Sequence, residues 1–389
     1  MRKNIYAFRE KHTCFQGKTC MLSGKNIYAY EEDFTAFFQK TLSRWYTIHH
    51  RTLPWRETKD PYRIWISEII LQQTRVDQGW EYYLRFTNAL PDIHALAAAD
   101  EEEVLKLWQG LGYYSRARNL HATAKRLVSD YGGAFPPDHS AVLSLKGIGE
   151  YTAAAICSFA WDLPFAAVDG NVYRVLARLF AIDTPIDSGK GKREFAELAR
   201  VLLNKDTPGL HNQAVMELGA LQCVPQKPDC PACPFAEKCA AYAEGDVSLY
   251  PVKQHKTKVR HRHFHYFHIQ YKDKILLHRR GEKDIWQGLY ELPLIETDTK
   301  MDFSELQKTT LFGEWFAEVE GMHTHLAQQG TKHVLSHQVL LANFYQVRLD
   351  ILPEKLQHFR FVSAEEAEEM AMPRLIEAYF GKNNGYLLF

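Results

Sequence analysis

The chain is predicted to be multidomain, with an all-α part followed by an α+β part. Three observations lead there. Apolar residues recur at helical spacing as far as about residue 222. After residue 263 the spacing changes to alternation, in HFHYFHIQY, KILLHRR and HVLSHQVLLANFYQV, which read as strands, with WQGLYELP as a turn. Between them, 243–263 is enriched in Gly, Ser, Pro, Lys and His and reads as a linker. The expected division is a flexible extension over 1–29, a helical domain over 30–242, the linker over 243–263 and an α+β domain over 264–389. A chain of 389 residues accommodates two or three domains.

Composition narrows the class. At 46% hydrophobic and 24% charged the chain is an ordinary globular one, with no apolar run long enough to span a membrane and no secretory leader expected. A net charge of +0 does not advertise nucleic-acid binding, but basic residues crowd locally at Lys253, Lys256, Lys258, Arg260 and Arg262. Of seven cysteines, Cys157 sits in an apolar helical run and reads as inert core. Cys14 and Cys20 lie in the N-terminal extension with no third ligand nearby, and Met21 is an alternative start.

Taken in order, Phe34, Phe37, Phe38, Leu42, Trp45 and Tyr46 share one face of an amphipathic helix. Pro54 forces RTLPWR into a loop, and Asp60-Pro61 marks a helix start with Asp as cap and Pro at the first position. That helix reads PYRIWISEIILQQT. Glu68 falls on its apolar stripe, with Ile64, Trp65 and Leu71 around it. Two readings stand. A desolvated carboxyl has a raised pKa and can serve as a general acid, or Glu68 sits at the stripe's edge and reaches solvent. Gln72 to Arg75 end the helix, where polar residues are ordinarily solvated. Residues 100–131 read as two helices around QGLGYYSRARNL, with Gly110 and Gly112 bracketing Leu111 ahead of Tyr113-Tyr114. Arg116 and Arg118 read as phosphate partners or as solvated charges.

The stretch LKGIGEYTAAAICSFAWDLPFAAVDGNVYRVL, residues 145–176, carries the densest signal. Gly147 and Gly149 flank Ile148 in a turn read as too tight for side chains, joining two helices as a helix-hairpin-helix. Outward N–H groups at such a helix start hold a phosphate without reading sequence, and Lys146 is expected to assist. Asp169 opens the next helix, where a carboxylate also has a plain reading as an N-cap. Helices continue over 190–222, followed by Cys223, Cys230, Cys233 and Cys239 spaced C-x6-C-x2-C-x5-C. Four such thiolates hold an iron–sulfur cluster or a zinc ion. The spacing is neither the paired zinc knuckle nor the ferredoxin run.

These motifs together resemble the endonuclease-III-like, helix-hairpin-helix DNA glycosylases, and VDGNV with the tyrosine of GIGEYTAAAI resembles the adenine glycosylases of the MutY type. The resemblance runs from about Tyr30 to Phe389. It implies an all-α helix-hairpin-helix glycosylase domain with a [4Fe–4S] loop on the four cysteines, joined to an α+β Nudix-like domain. It implies removal of adenine paired with 8-oxoguanine or guanine in double-stranded DNA. SEIILQQT resembles the segment whose Glu is the catalytic acid, which assigns that role to Glu68. Asp169 then stabilises the oxocarbenium or captures it covalently, Asn171 orients Asp169, and Tyr151 bonds to either carboxylate. Arg51, Leu53 and Trp55 become candidates for the base pocket wall. Gln73 and Thr74 would enter the duplex, Leu111 and Tyr113 would form the wedge, and Gly147 and Gly149 would hold phosphate. Ser336 and His337 match the loop that reads 8-oxoguanine, although Leu335 stands where the family usually has Phe. The REx2EE box of a Nudix hydrolase is missing, so no pyrophosphohydrolase activity is expected.

Removing a purine calls for an acid on the base side and a negative charge on the sugar side, the pairing used in sugar hydrolysis. Tyr151 occupies the position where strand-cleaving relatives carry the Schiff-base lysine, and Tyr173 the position of a second family lysine. A monofunctional enzyme is therefore expected, a monomer acting on DNA in a bacterial-type cytoplasm. The rivals are a strand-cleaving pyrimidine glycosylase, a non-catalytic iron–sulfur DNA-binding protein and a nucleotide hydrolase.

Overall fold

The structure is a computed structural model that describes residues 32–254, 259–317, 319, 322–383 and 385–386. The N-terminal extension with Cys14, Cys20 and Met21, and the linker residues Lys256 and Lys258, lie outside the described residues. In chain order the helices are α1 (Glu32–His49), α2 (Pro61–Ile70), α3 (Val76–Ala89), α4 (Ile93–Ala98), α5 (Glu101–Leu107), α6 (Ser115–Tyr131), α7 (His139–Leu143), α8 (Glu150–Trp161), α9 (Gly170–Leu179), α10 (Gly189–Leu202), α11 (Pro208–Leu221), α12 (Ala240–Ala243), α13 (Phe303–Leu306), α14 (Thr310–Phe316), α15 (Ala364–Glu369) and α16 (Arg374–Lys382). The strands are β1 (Arg260–Tyr271), β2 (Lys274–Arg279), β3 (Tyr290–Glu291), β4 (Leu294–Thr297), β5 (Thr324–Val334), β6 (Gln338–Leu349) and β7 (Arg360–Val362). Among the described residues no helix is long and apolar enough to cross a membrane.

The chain divides into two compact units that do not follow sequence order. The first comprises the chain up to Ile64, Pro137–Leu143 and Ile148–His255; the second comprises Trp65–Pro136, Ser144–Gly147 and Lys256–Phe389.

In the first unit the apolar face of α1 does what its spacing predicts. Phe38, Leu42 and Trp45 pack with Leu176 and Leu179 of α9, Phe195 and Leu198 of α10 and Leu218 of α11. Cys223, Cys233 and Cys239 lie against the same core, so the cysteine loop is seated on helices and not on solvent. Cys157 is fully buried in α8, and burial pushes its thiol up to about 11, in keeping with an inert core residue.

In the second unit Trp65, Phe86 and Trp108 are buried, with Trp65 edge-on to Phe135 at 5.2 Å and Phe86 of α3 edge-on to Trp108 at 5.8 Å. The start of α2, which lies in the first unit, is capped as its Asp-Pro signal predicts, Asp60 Oδ1 accepting from Tyr62 N at 2.9 Å, and from Trp65 onward the helix belongs to the second unit. The same unit carries a mixed sheet in the order β3-β2-β1-β6-β5, with β4 on β1 and β7 on β2. Its spine is the parallel pair β1–β6, in register from Arg260↔Gln338 to Tyr271↔Leu349. HVLSHQVLLANFYQV, expected as a strand, is a hairpin. β5 ends at Val334, Leu335 N donates to Gln338 O at 2.8 Å, and β6 begins at Gln338.

One expectation about charge is corrected. Arg262, counted with the basic crowd, is 4% exposed and faces inward from β1. Its guanidinium donates to Asp284 (2.7 Å) and to Glu296 (2.5 and 2.6 Å), so it is a buried ion-pair hub and not part of a phosphate-binding face. Burial along β1 begins at Arg262 and runs unbroken from Phe264 to Gln270, so the strand is covered on both faces and the arginine with it.

Candidate active site

Asp169 caps α9. Its Oδ1 accepts from Val172 N at 2.8 Å and its Oδ2 from Asn171 Nδ2 at 2.7 Å. Capping and a chemical role are therefore not alternatives here, since the donors that cap the helix also hold the carboxylate in one orientation. Burial pushes the Asp169 carboxyl up, while these hydrogen bonds and the Arg174 charge pull it back. The orientation is relayed onward: Arg174 Nη2 donates to Asn171 Oδ1 (2.7 Å) and Gly219 O (2.6 Å), and its Nε to Cys223 O (2.7 Å). One arginine thus joins the aspartate's partner to the first residue of the cysteine loop. Tyr151 is half-buried in the first turn of α8.

The RTLPWR loop is fixed by a residue the sequence reading passed over. Glu217, on α11 and 0% exposed, accepts from Arg51 Nε (2.8 Å), Arg51 Nη2 (2.7 Å), Arg51 N (2.8 Å) and Arg56 Nη2 (2.7 Å). Burial alone would raise its pKa, but the bonds from Arg51 and Arg56 outweigh it and bring it down to about 2. Leu53 and Trp55 are buried beside this anchor. Glu217 had the same signal as Glu68, a carboxylate among Ala214, Val215 and Leu218 in an apolar run.

The four cysteines Cys223, Cys230, Cys233 and Cys239 are half-buried. Burial, and then one another's charge, push the Cys233 thiol up to about 11. Cysteines so crowded become thiolates readily only when bound to a cationic centre. Arg178, 3% exposed, holds the loop by donating to Val224 O (2.7 Å) and Pro225 O (3.0 Å), with Nη1 3.5 Å from Cys223 Sγ. Among the described residues no three His, Cys, Asp or Glu side chains converge as ligands of one ion. Four half-buried cysteine sulfurs on one loop are a donor set of the kind that holds an iron–sulfur cluster or a zinc ion.

The remaining candidates, Gly149 of the first unit excepted, lie in the second unit. Glu68 is 8% exposed on α2, beside Ile64 (2%) and Trp65 (1%), so the reading in which it reaches freely into solvent is set aside. The α2 helix ends at Ile70, and Gln73, exposed, takes the left-handed conformation (φ +59°), with Thr74 half-buried after it. Tyr113, 41% exposed, is also left-handed (φ +47°), after a half-buried Leu111. Non-glycine residues in this conformation cluster at functional sites. The Tyr113 hydroxyl is hydrogen-bonded to Ser336 Oγ, which joins the expected wedge to the β5–β6 turn. Ser336 and His337 are exposed there and Leu335 is half-buried. Arg116 and Arg118 are half-buried and bonded within the protein: Arg118 Nη1 donates to Gln287 O at 2.7 Å, and Arg116 donates to backbone carbonyls. Gly147 is left-handed (φ +80°), whereas Gly149 is not and has open space on its Cα side, which corrects the reading that both glycines answer to crowding. A cleft of about 510 Å³ in this unit is lined by Arg280, Asp284, Glu291 and Trp315 among others, and it contains none of the candidate residues.

A helical hairpin followed by an aspartate that caps the next helix, with a cysteine loop seated on the core of that helix and its neighbours α1, α10 and α11, is the arrangement of a base-excision DNA glycosylase. Residues 66–201 match the HhH-GPD superfamily base excision DNA repair protein model, and residues 265–382 match a NUDIX domain. A thermostable thymine-DNA glycosylase of known structure matches with a TM-score of 0.50 at 29% identity, over 55% of this chain and 98% of that one. The adenine DNA glycosylase of Buchnera aphidicola subsp. Schizaphis graminum is 35% identical over 68% of this chain and 76% of its own. That of Buchnera aphidicola subsp. Acyrthosiphon pisum is 30% identical over 87% and 95%, and the human one is 41% identical over 52% and 39%. The chain belongs to the adenine DNA glycosylase family, of the MutY type, and is a DNA N-glycosylase of base-excision repair.

Proposed function

We propose that the enzyme excises adenine paired with 8-oxoguanine or guanine in duplex DNA, without cutting the strand. The observation that carries this is Asp169, whose two carboxylate oxygens are each held by a donor at a helix start. A carboxylate so held faces a developing cation without reorganising. Glu68, buried on α2, protonates N7 of the flipped adenine. The C1′–N9 bond breaks as the base leaves neutral, Asp169 stabilises the oxocarbenium, and water completes the abasic site. Asn171 orients Asp169, and Tyr151 supports the carboxylates. Arg51, Leu53 and Trp55 wall the base pocket, with Glu217 anchoring the arginine. Gln73, Thr74, Leu111 and Tyr113 open the duplex, Gly147 and Gly149 hold phosphate, and Ser336 and His337 read the opposite base. With Leu335 in place of an aromatic, that reading rests on polar contact. Cys223, Cys230, Cys233 and Cys239 hold a [4Fe–4S] cluster, which when bound cross-links the loop and is capable of one-electron chemistry. The sequence division at 30–242, 243–263 and 264–389, action as a monomer, and location with cytoplasmic DNA are part of the same proposal.

The test is single-turnover cleavage of a labelled duplex with adenine opposite 8-oxoguanine, run with and without hot alkali. Strand scission only after alkali is expected. Scission without alkali would restore the strand-cleaving reading despite Tyr151, and binding without product would favour a non-catalytic DNA-binding protein. Glu68→Gln and Asp169→Asn are each expected to slow excision by about 10²–10⁴-fold; wild-type rates in either variant would overturn the assignment. Excision needs Asp169 ionised, and burial raises its pKa. Activity should therefore fall with decreasing pH at a midpoint above the ordinary aspartate value of about 3.9. Asn171→Ala, by removing a bond to the charged form, should move that limb further up. A pH–rate profile with the limb unmoved would sink this account of Asp169.

A further inference from the structure

Arg116, in the first turn of α6, has an unusual set of acceptors. Its Nη1 donates to Ile69 O (2.6 Å), Ile70 O (3.1 Å) and Gln72 O (2.7 Å), and its Nη2 donates to Gly112 O (3.2 Å). The guanidinium lies against the rings of Trp108 (5.2 Å) and Tyr113 (5.8 Å). Two of these carbonyls immediately precede the left-handed residues of the reading surface: Gln72 O precedes Gln73 (φ +59°), and Gly112 O precedes Tyr113 (φ +47°). The angle φ is measured from the preceding carbonyl carbon. Pinning that peptide's oxygen therefore fixes the plane about which the next residue turns. Neither Gln nor Tyr adopts this conformation without surroundings that impose it.

We propose that Arg116 is a positioning residue, a single guanidinium that clamps the Gln72–Gln73 and Gly112–Tyr113 peptide planes together, so that both reading residues meet DNA in one fixed register. Helix capping explains only part of this. A cation at the end of α2 would satisfy Ile69 O, Ile70 O and Gln72 O from one nitrogen. Only a planar fork with a second nitrogen reaches Gly112 O at the same time. The arrangement also leaves Nε buried without a partner, so the site is not built simply to satisfy the arginine.

The proposal rests on the reading surface assigned above, and the experiment separates the two. Arg116→Lys keeps the charge and a capping nitrogen but loses the fork. Single-turnover excision is measured on adenine opposite 8-oxoguanine and on adenine opposite an abasic analogue, where there is no partner base to wedge or read. The variant is expected to lose about 30-fold on the first duplex, a misplacement effect, and no more than about 3-fold on the second. Equal losses on both duplexes, or no loss on either, would overturn the clamp. If the wild-type enzyme fails to distinguish the two duplexes, the reading surface itself is misassigned. Should the lysine variant not fold, native-state hydrogen exchange on the wild-type protein decides. The clamp requires the amides of Gln73 and Tyr113 to open as one unit, and independent opening would overturn it.

Discussion

Gly110-Leu111-Gly112 and Gly147-Ile148-Gly149 share one three-residue pattern, and each leads into a helix, α6 and α8. Their backbones differ. In the first, Gly110 (φ +93°), Gly112 (φ +74°) and then Tyr113 (φ +47°) all lie in the left-handed region. In the second only Gly147 does (φ +80°), and Gly149 is extended at φ −98° as the cap of α8. The first turn stores strain and spends it on presenting an aromatic ring. The second releases the chain at once into a relaxed residue whose Cα side faces open space, the arrangement that suits a backbone approached by a phosphate. In the proposed function the same glycine spelling would serve a wedge in one place and a cradle in the other.

Three substitutions sharpen or break this contrast. Gly147→Ala should be the most damaging. It forces a left-handed alanine, at about 1–2 kcal/mol, and places a Cβ 2.7 Å from Asn119 Cβ, an atom that moves only with α6. With an overpacking penalty of about 1–3 kcal/mol, denaturant unfolding should register a loss near 3 kcal/mol; a loss under about 1 kcal/mol would show that the turn is not tight. Tyr113→Gly comes next. Removing a large side chain usually destabilises, but here it also relieves a left-handed tyrosine, so stability should stay within about 1 kcal/mol of wild type. Excision from the mispair should nevertheless slow. A large stability loss would make Tyr113 a core residue and not a presented one. Gly149→Ala should have the smallest effect on folding, within about 0.5 kcal/mol, because the lost cap preference and the reduced chain entropy nearly cancel. Its duplex affinity should still drop. If Gly149→Ala destabilised as much as Gly147→Ala, the two positions would not differ in kind.

Much of this was legible in advance where the deciding contacts are local. Asp60-Pro61, the Asp169 cap and the Cys223–Cys239 loop each declare themselves within a few residues, and alternation located β1, β2 and β6. Arg262 misled because basic composition says nothing of direction, and a strand turned it inward onto Asp284 and Glu296. Arg116 misled for a related reason. An arginine after a Gly-rich turn looks solvated until the end of another helix is brought to it.

The sequence by itself determined the helical and alternating segments, their caps and turns, the cysteine spacing and the residue types available for acid and charge-stabilising chemistry. All of these depend on neighbours a few positions away. Tertiary structure decided which charge meets which group: Glu217 on Arg51 across 166 positions, Arg116 on Gln72 across 44, and Tyr113 on Ser336 across 223. It also decided that Gln73 and Tyr113 are left-handed. No local propensity favours that for either residue, and only surrounding structure that over-determines a backbone angle can impose it.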